Sequence, residues 1–344
     1  MIDRRDFLKT SALTGVGISL GASVMGQTSG QNAAQGKRVG IIGLDTSHSI
    51  AFTKSLNAEN ADDSFLGYKV VAAYPQGSLD IPSSVERIEG YTKQIQEMGV
   101  EIFQSIEEML AKVDVVLLET NDGRRHLEQA LPVLKAGKRM FIDKPMTASL
   151  AEAMAIFDAA AFYGVPLFSA SSLRYIQGMD EVLSGEVGQV LGADAFSPAS
   201  LEKTHPDLFW YGIHGVETLF TAMGTGCKTV TRAFTPDNEV VVGVWEGNRV
   251  GTFRGIRKGK SGYGGCVYGE KGIKPLGTYN GYDPLLKEIV RYFDTGALPV
   301  RPEETLEILA FMEAAEESKK TGGKPISMDK VMEKARKGSK KIKF

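Results

Sequence analysis

The chain has 344 residues, 42% hydrophobic and 24% charged, with a net charge of −2. That length is near the prior for two domains, and the balance is ordinary for a globular protein. Near-neutral charge excludes a global field for nucleic acid. With two cysteines and four histidines and no C-x-x-C or H-E-x-x-H spacing, the expectation from sequence is no metal site.

The first segment does not read as part of the fold. "RRDFLK", residues 4–9, precedes a weakly apolar stretch over 10–25, with small residues near 22–26 for cleavage. Arg4 and Arg5 with Phe7, Leu8 and Lys9 resemble a twin-arginine signal, residues 1–26. The expectation is export to the periplasm or beyond, with no stable membrane span after cleavage; an uncleaved anchor is the alternative. That route is associated with folded cargo, which favours free buried thiols at Cys227 and Cys266 over a disulfide. Residues 27–36, "QTSGQNAAQG", are a polar linker.

From residue 37 the sequence alternates. Strands are expected at 39–44, 68–74, 100–103, 114–119 and 139–142, and helices at 49–56, 83–98, 106–112 and 125–136. Ser83 or Ser84 is the candidate cap of the second helix. "DVVLLE" at 114–119 is continuously apolar within its acidic ends, as a strand covered on both faces requires. This order predicts an α/β, doubly wound parallel sheet over 37–148. A helix at 150–163 and a strand at 166–170 follow. Residues 188–270 then read mostly as antiparallel strands, interrupted by a helix near 208–223, and helices at 284–293 and 303–320 close the chain. The second domain, 149–328, is thus an α+β unit on an open, mainly antiparallel sheet. The basic run 329–344 reads as a solvated helix end and tail, with contact to an anionic surface as the alternative.

Four stretches carry candidate chemistry. In "GLDTSHS", Gly43 holds the first place of a G-x-G-x-x-G turn, but Asp45 and His48 hold the other two. The following helix start still offers free N–H groups, and Thr46, Ser47 and Ser49 add hydroxyls. Asp45 is expected to repel a diphosphate. Tyr74 and Pro75 stand where a ribose-binding acid would be, and Tyr74 can either stack on adenine or pack as an apolar group. "FIDKP" brings Asp143 and Lys144 to the carboxyl edge of the sheet, where an ammonium can stabilise a substrate oxyanion. In "HPDLFWYGIHGVE", a helix capped by Asp207 puts Tyr211, His214 and Glu217 on one face, with Trp210 beside it. A histidine there suits proton transfer near neutrality.

Over residues 37–330 these features resemble the glucose–fructose oxidoreductase, inositol dehydrogenase and MocA (Gfo/Idh/MocA) family. The most specific segment is "VDVVLLETNDGRRHLEQALPVLKAGKRMFIDKP", residues 113–145: strand, polar turn with Thr120 and Asn121, His126, helix, strand, then Asp143-Lys144-Pro145 where the family has Glu-Lys-Pro. "SASSLRY" resembles the family segment that would place Arg174 and Tyr175 near substrate. "YGIHGVE" resembles its D-x-G-x-H-x-x-D motif, which puts His214 on the catalytic histidine, Trp210 in place of the first aspartate and Glu217 beside the substrate. The resemblance implies a Rossmann domain holding NAD or NADP, tightly in an exported protein. It implies a carbohydrate or cyclitol substrate, a Lys144–His214 pair handling the hydroxyl proton, and a homo-oligomer. Two alternatives remain: glycoside cleavage by transient oxidation, and a non-catalytic sugar-binding relative.

Overall fold

The computed structural model describes residues 36–344. The expected signal and nearly all of the linker lie outside the described residues. The first half runs β1 (Arg38–Ile42), α1 (Ser47–Asn57), β2 (Lys69–Tyr74), α2 (Pro82–Glu97), β3 (Glu101–Ile102), α3 (Ile106–Leu110), β4 (Val115–Leu118), α4 (His126–Lys135), β5 (Arg139–Ile142), α5 (Leu150–Tyr163) and β6 (Phe168–Ser169). Its six strands form one parallel sheet in the order β3-β2-β1-β4-β5-β6. The order reverses between β1 and β4, and ligands bind outside the carboxyl ends at such a switch point.

β4 explains the apolar run. Val115 and Leu117 share a cluster with Phe52 and Leu56 of α1, while Val116 and Leu118 share one with Ala130 and Leu134 of α4. Alternate side chains thus face opposite helix layers, and all four are fully buried.

The second half runs α6 (Met179–Leu183), β7 (Val190–Pro198), α7 (Ile213–Met223), β8 (Cys227–Phe234), β9 (Asn238–Trp245), β10 (Arg249–Ile256), β11 (Gly264–Gly269), β12 (Ile273–Leu276), α8 (Asp283–Thr295), α9 (Pro302–Lys320), β13 (Ile326–Ser327) and α10 (Met328–Ser339). Seven strands form the second sheet, β12-β11-β7-β10-β9-β8-β13, antiparallel except for the β7–β10 pair. α7 and α9 pack on it.

Four local expectations are corrected. The basic segment is a helix rather than a solvated tail: Ser327 caps α10, and Met328, Val331 and Ala335 are buried where it meets α5 and α9. α2 begins at Pro82 with no side-chain cap, because proline suits a first helical turn. Asp207 does not cap its helix either. Its carboxylate pairs with Arg232 at 2.8 Å and Lys319 at 2.5 Å, and a π-helical turn, Leu208–Gly212, leads into α7. Finally, α8 returns to the first sheet, where Leu285, Leu286, Ile289 and Val290 share a cluster with Ile41, Phe52 and Leu117. Cys227 is buried, Cys266 is half-buried, and both are free. Among the described residues no helix is long and apolar enough to cross a membrane.

Gly43 fixes the exit from β1. Its φ is +89°, and a Cβ there would lie 2.5 Å from the Thr120 backbone nitrogen. Gly43→Ala is expected to lower unfolding stability by about 1–3 kcal/mol through backbone strain, and further through the overlap. Urea denaturation checks this.

Candidate active site

The loop after β1 forms the floor of the site. The Gly43 N–H donates to the Tyr74 carbonyl at 2.9 Å, and the Leu44 N–H to the Pro75 carbonyl at 3.0 Å. Asp45 then turns inward and is fully buried. Its carboxylate accepts from the Ser78 N–H at 2.8 Å and the Asn121 N–H at 2.9 Å. Burial raises its pKa, while these donors oppose the rise. The expected crowding of a diphosphate is corrected, because this side chain is not in the cleft wall. Thr46 caps α1, accepting from the His48 N–H at 3.4 Å.

A cleft of about 310 Å³ opens above this helix start. Thr46, Ser47 and His48 form one side, with Ser83, Arg87 and Tyr91 of α2 next to them. Asn121 follows β4 and Lys144 follows β5. Trp210, Tyr211 and His214 enter from the second half, with Tyr263, Tyr279 and Tyr282. The α8 return is what delivers Tyr282, whose ring lies 4.6 Å from that of His48.

His214 is buried, with Nδ1 2.7 Å from the Ser171 hydroxyl oxygen, which also accepts from the Leu173 N–H at 3.1 Å. Burial, then the charges of Lys144 and His48, hold its pKa well below the ordinary imidazole value. Tyr211 and Tyr263 present ring edges to it at 5.2 and 5.9 Å. Lys144 is also buried, its Nζ 3.7 Å from Asp143 Oδ2. Burial pushes the Asp143 carboxyl up, but His48 and Lys144 outweigh it and hold it below the carboxylate range. Beside it, burial and the Asp143 charge raise the Glu119 pKa well above normal.

Of the sequence-predicted residues, Thr46, Ser47, His48, Asn121, Lys144, Trp210, Tyr211 and His214 meet in the cleft wall. The others stand behind or beside it. Tyr74 packs against the apolar core, which is the second of its two expected roles. Thr120 lies under Gly43. His126 is fully buried, its ring nitrogens 2.6 Å from the Thr120 carbonyl and 2.9 Å from the Met146 carbonyl, so it clamps two loops rather than facing a ligand. Arg174 is held by Glu217 at 3.2 Å and Glu304 at 2.7 Å. Burial pushes the Glu217 pKa to about 7. Tyr175 packs beside the α8 cluster. These last three were expected at the substrate; they do not line the cleft wall, and Arg174 and Glu217 pair with each other.

Arg87, Tyr91, Ser171, Glu119 and the three tyrosines were not read from sequence. Arg87 lies one helical turn beyond Ser83, so a basic residue near the start of α2 was an available signal; the tyrosines carry none without the fold.

Residues 37–171 match the model of an oxidoreductase family with an NAD-binding Rossmann fold, Gfo/Idh/MocA. No curated protein matches the chain. Among solved structures it is similar to scyllo-inositol dehydrogenase from Lactobacillus casei with bound NAD(H) and scyllo-inositol, at 16% identity and TM-score 0.66, covering 85% of this chain and 99% of that one. It is similar to myo-inositol 2-dehydrogenase from Lactobacillus plantarum, at 16% identity and TM-score 0.68, covering 84% and 98%. GenD2 from gentamicin A biosynthesis, in complex with NAD, is a third, at 16% identity and TM-score 0.67, covering 90% and 99%. These likenesses extend the shared fold through both halves, and the residues that match the family model, 37–171, hold the six-stranded, Rossmann-like parallel sheet.

Proposed function

We propose that the protein is a nicotinamide-dinucleotide-dependent oxidoreductase acting on one hydroxyl-bearing carbon of a neutral sugar or cyclitol. The observation that carries this is the meeting of Lys144 and His214, from different halves of the fold, in one cleft at the start of α1. The residues present fit the cofactor. The α1 start offers backbone donors, and the Arg87 guanidinium lies 3.5 Å from the Asp45 carbonyl beside it. Among the described residues the cleft wall holds Lys144 and Arg87 but no carboxylate. The structural relatives bound to NAD support the same reading.

A bound nicotinamide supplies the hydride acceptor. The Lys144 ammonium donates to the reacting hydroxyl oxygen and stabilises the charge that grows there. His214 takes the hydroxyl proton at Nε2 in the tautomer whose Nδ1–H donates to the Ser171 hydroxyl, which lies 2.7 Å from Nδ1. Tyr263, Tyr279, Tyr282 and Trp210 offer ring faces to the C–H face of a sugar and polar tips to its hydroxyls. The lack of wall carboxylates favours a neutral substrate over a cationic one. The reading extends to export, to a cofactor retained through each cycle, and to assembly through the open sheet, where Tyr268, Val250 and Val244 lie exposed along one row.

Native mass spectrometry of the purified protein is expected to find a co-purified dinucleotide; no nucleotide, and no thermal protection by NAD or NADP, would sink the proposal. With an active substrate in hand, Lys144→Ala and His214→Ala should each lower kcat by about 10²–10⁴-fold. NADH accumulation separates net oxidation from glycoside cleavage by transient oxidation, which returns the hydride. Oxidation needs neutral His214, and its depressed pKa keeps it neutral above that value. The kcat–pH profile for oxidation should therefore stay flat down through about 6.5, with its acid limb lower still. Ser171→Ala should lower kcat more than it raises KM and reshape that limb, and Ser171→Thr should restore both.

A further inference from the structure

From the cleft wall inward, three elements bring together side chains that the mechanism leaves unused. His48 comes from the first turn of α1, Glu119 from the residue after β4 and Asp143 from the residue after β5. His48 Nδ1 lies 2.9 Å from Asp143 Oδ2 and 3.8 Å from Glu119 Oε2. One ligand atom from each falls within 4.8 Å of the others, and all three residues are buried. His48 Nδ1 and all four carboxylate oxygens lack a hydrogen-bond partner among the described residues. The contrast with Asp45 is direct, since that buried carboxylate accepts two backbone N–H groups. Buried polar groups are normally satisfied, and Glu119 requires an explanation, because neither of its oxygens has a donor and it stands beside Asp143, whose nearest donor groups are His48 Nδ1 at 2.9 Å and Lys144 Nζ at 3.7 Å.

We propose that His48, Glu119 and Asp143 bind a divalent first-row transition-metal ion. One imidazole nitrogen with two carboxylate oxygens is a donor set for Zn²⁺, Mn²⁺ or Fe²⁺, and the nitrogen argues against Mg²⁺ or Ca²⁺. Metal bonds of about 2.0–2.2 Å in a tetrahedral site put donors about 3.3–3.6 Å apart. The separations of 2.9 and 3.8 Å straddle that range, so rotamer adjustments of a few tenths of an ångström suffice. The ion displaces the proton that burial favours on Glu119, and its two positive charges offset the two carboxylates that result. Lys144 limits the site, because its ammonium approaches the same Asp143 oxygen at 3.7 Å. The ion therefore sits on the His48–Glu119 side. The competing arrangement is a protonated His48 shared by both carboxylates with no metal.

The test uses the full chain, stripped by a chelator and titrated with Co²⁺. The expected result is one Co²⁺ per chain by elemental analysis, visible d–d absorption of a four- or five-coordinate ion, and displacement by Zn²⁺. Glu119→Gln keeps the side-chain shape and has no hydrogen bond to lose; it should weaken Co²⁺ binding by at least about 100-fold with an unchanged circular dichroism spectrum. No binding by the native chain at about 1 mM Co²⁺ would overturn the proposal. So would d–d bands that survive in both Glu119→Gln and Asp143→Asn. Should a variant fail to fold, electron paramagnetic resonance of Cu²⁺ on the native chain decides. Splitting by one imidazole nitrogen supports the site, and splitting by none or by several refutes it.

Discussion

A single buried carboxylate organises the carboxyl edge of the first sheet. Asp45 accepts one N–H from the loop after β2 and one from the loop after β4, so three consecutive switch-point loops share one anchor. A carboxylate removed from water is costly unless donors replace its hydration. Here two backbone amides do so, and the geometry fixes both loops relative to the start of α1. Room for the anchor comes from Gly77, where any Cβ would overlap the Asp45 carboxylate. The turn thus trades one small residue for another. The second place of the G-x-G-x-x-G spacing becomes an aspartate, and a glycine on the neighbouring loop makes space for it. Because the side chain leaves the cleft, the helix start presents no carboxylate to an anion.

The opposite wall depends on chain return rather than on local sequence. After β12, α8 packs on α1 through Leu285, Leu286 and Ile289. That burial is apolar and of core type, so it holds the segment before it, with Tyr279 and Tyr282, against the cleft. The rings of Tyr279 and Tyr282 meet at 5.7 Å, and those of Tyr263 and Tyr279 at 6.1 Å. This aromatic run joins the nucleotide-side residue His48 to the second-domain residue His214. The site therefore exists only when both halves are packed, although no one segment of sequence describes it.

What was legible in the sequence follows from this division. β5 and α5 carry strong local signals, and the structure places both at the expected residues, 139–142 and 150–163. Lys144 was legible because a strand end followed by proline at a sheet edge has a fixed place. His214 was legible from its motif. α10 was hidden because its buried positions Met328, Val331 and Ala335 are separated by lysines and glutamates that read as a solvated face. Glu217 followed helix spacing, but it pairs with the buried Arg174 and does not line the cleft. The cluster of His48, Glu119 and Asp143 left no trace at all in residue spacing. Its members are brought together only by the strand order, β1 beside β4 beside β5.

Charge placement ties these features to chemistry. Cations Lys144 and Arg87 face the cleft, whereas the carboxylates nearest to them, Asp143, Glu119 and Asp45, are buried behind the wall. A diphosphate or a developing alkoxide in the cleft therefore meets ammonium, guanidinium and helix-start N–H groups before it meets any negative charge. The same field acts on His214. Burial, then the charge of Lys144, depress its pKa, so the neutral imidazole is favoured and a proton bound there sits in an unfavourable environment. In the proposed reaction Lys144 would act on both partners, drawing negative charge toward the reacting oxygen and disfavouring a proton on the neighbouring imidazole.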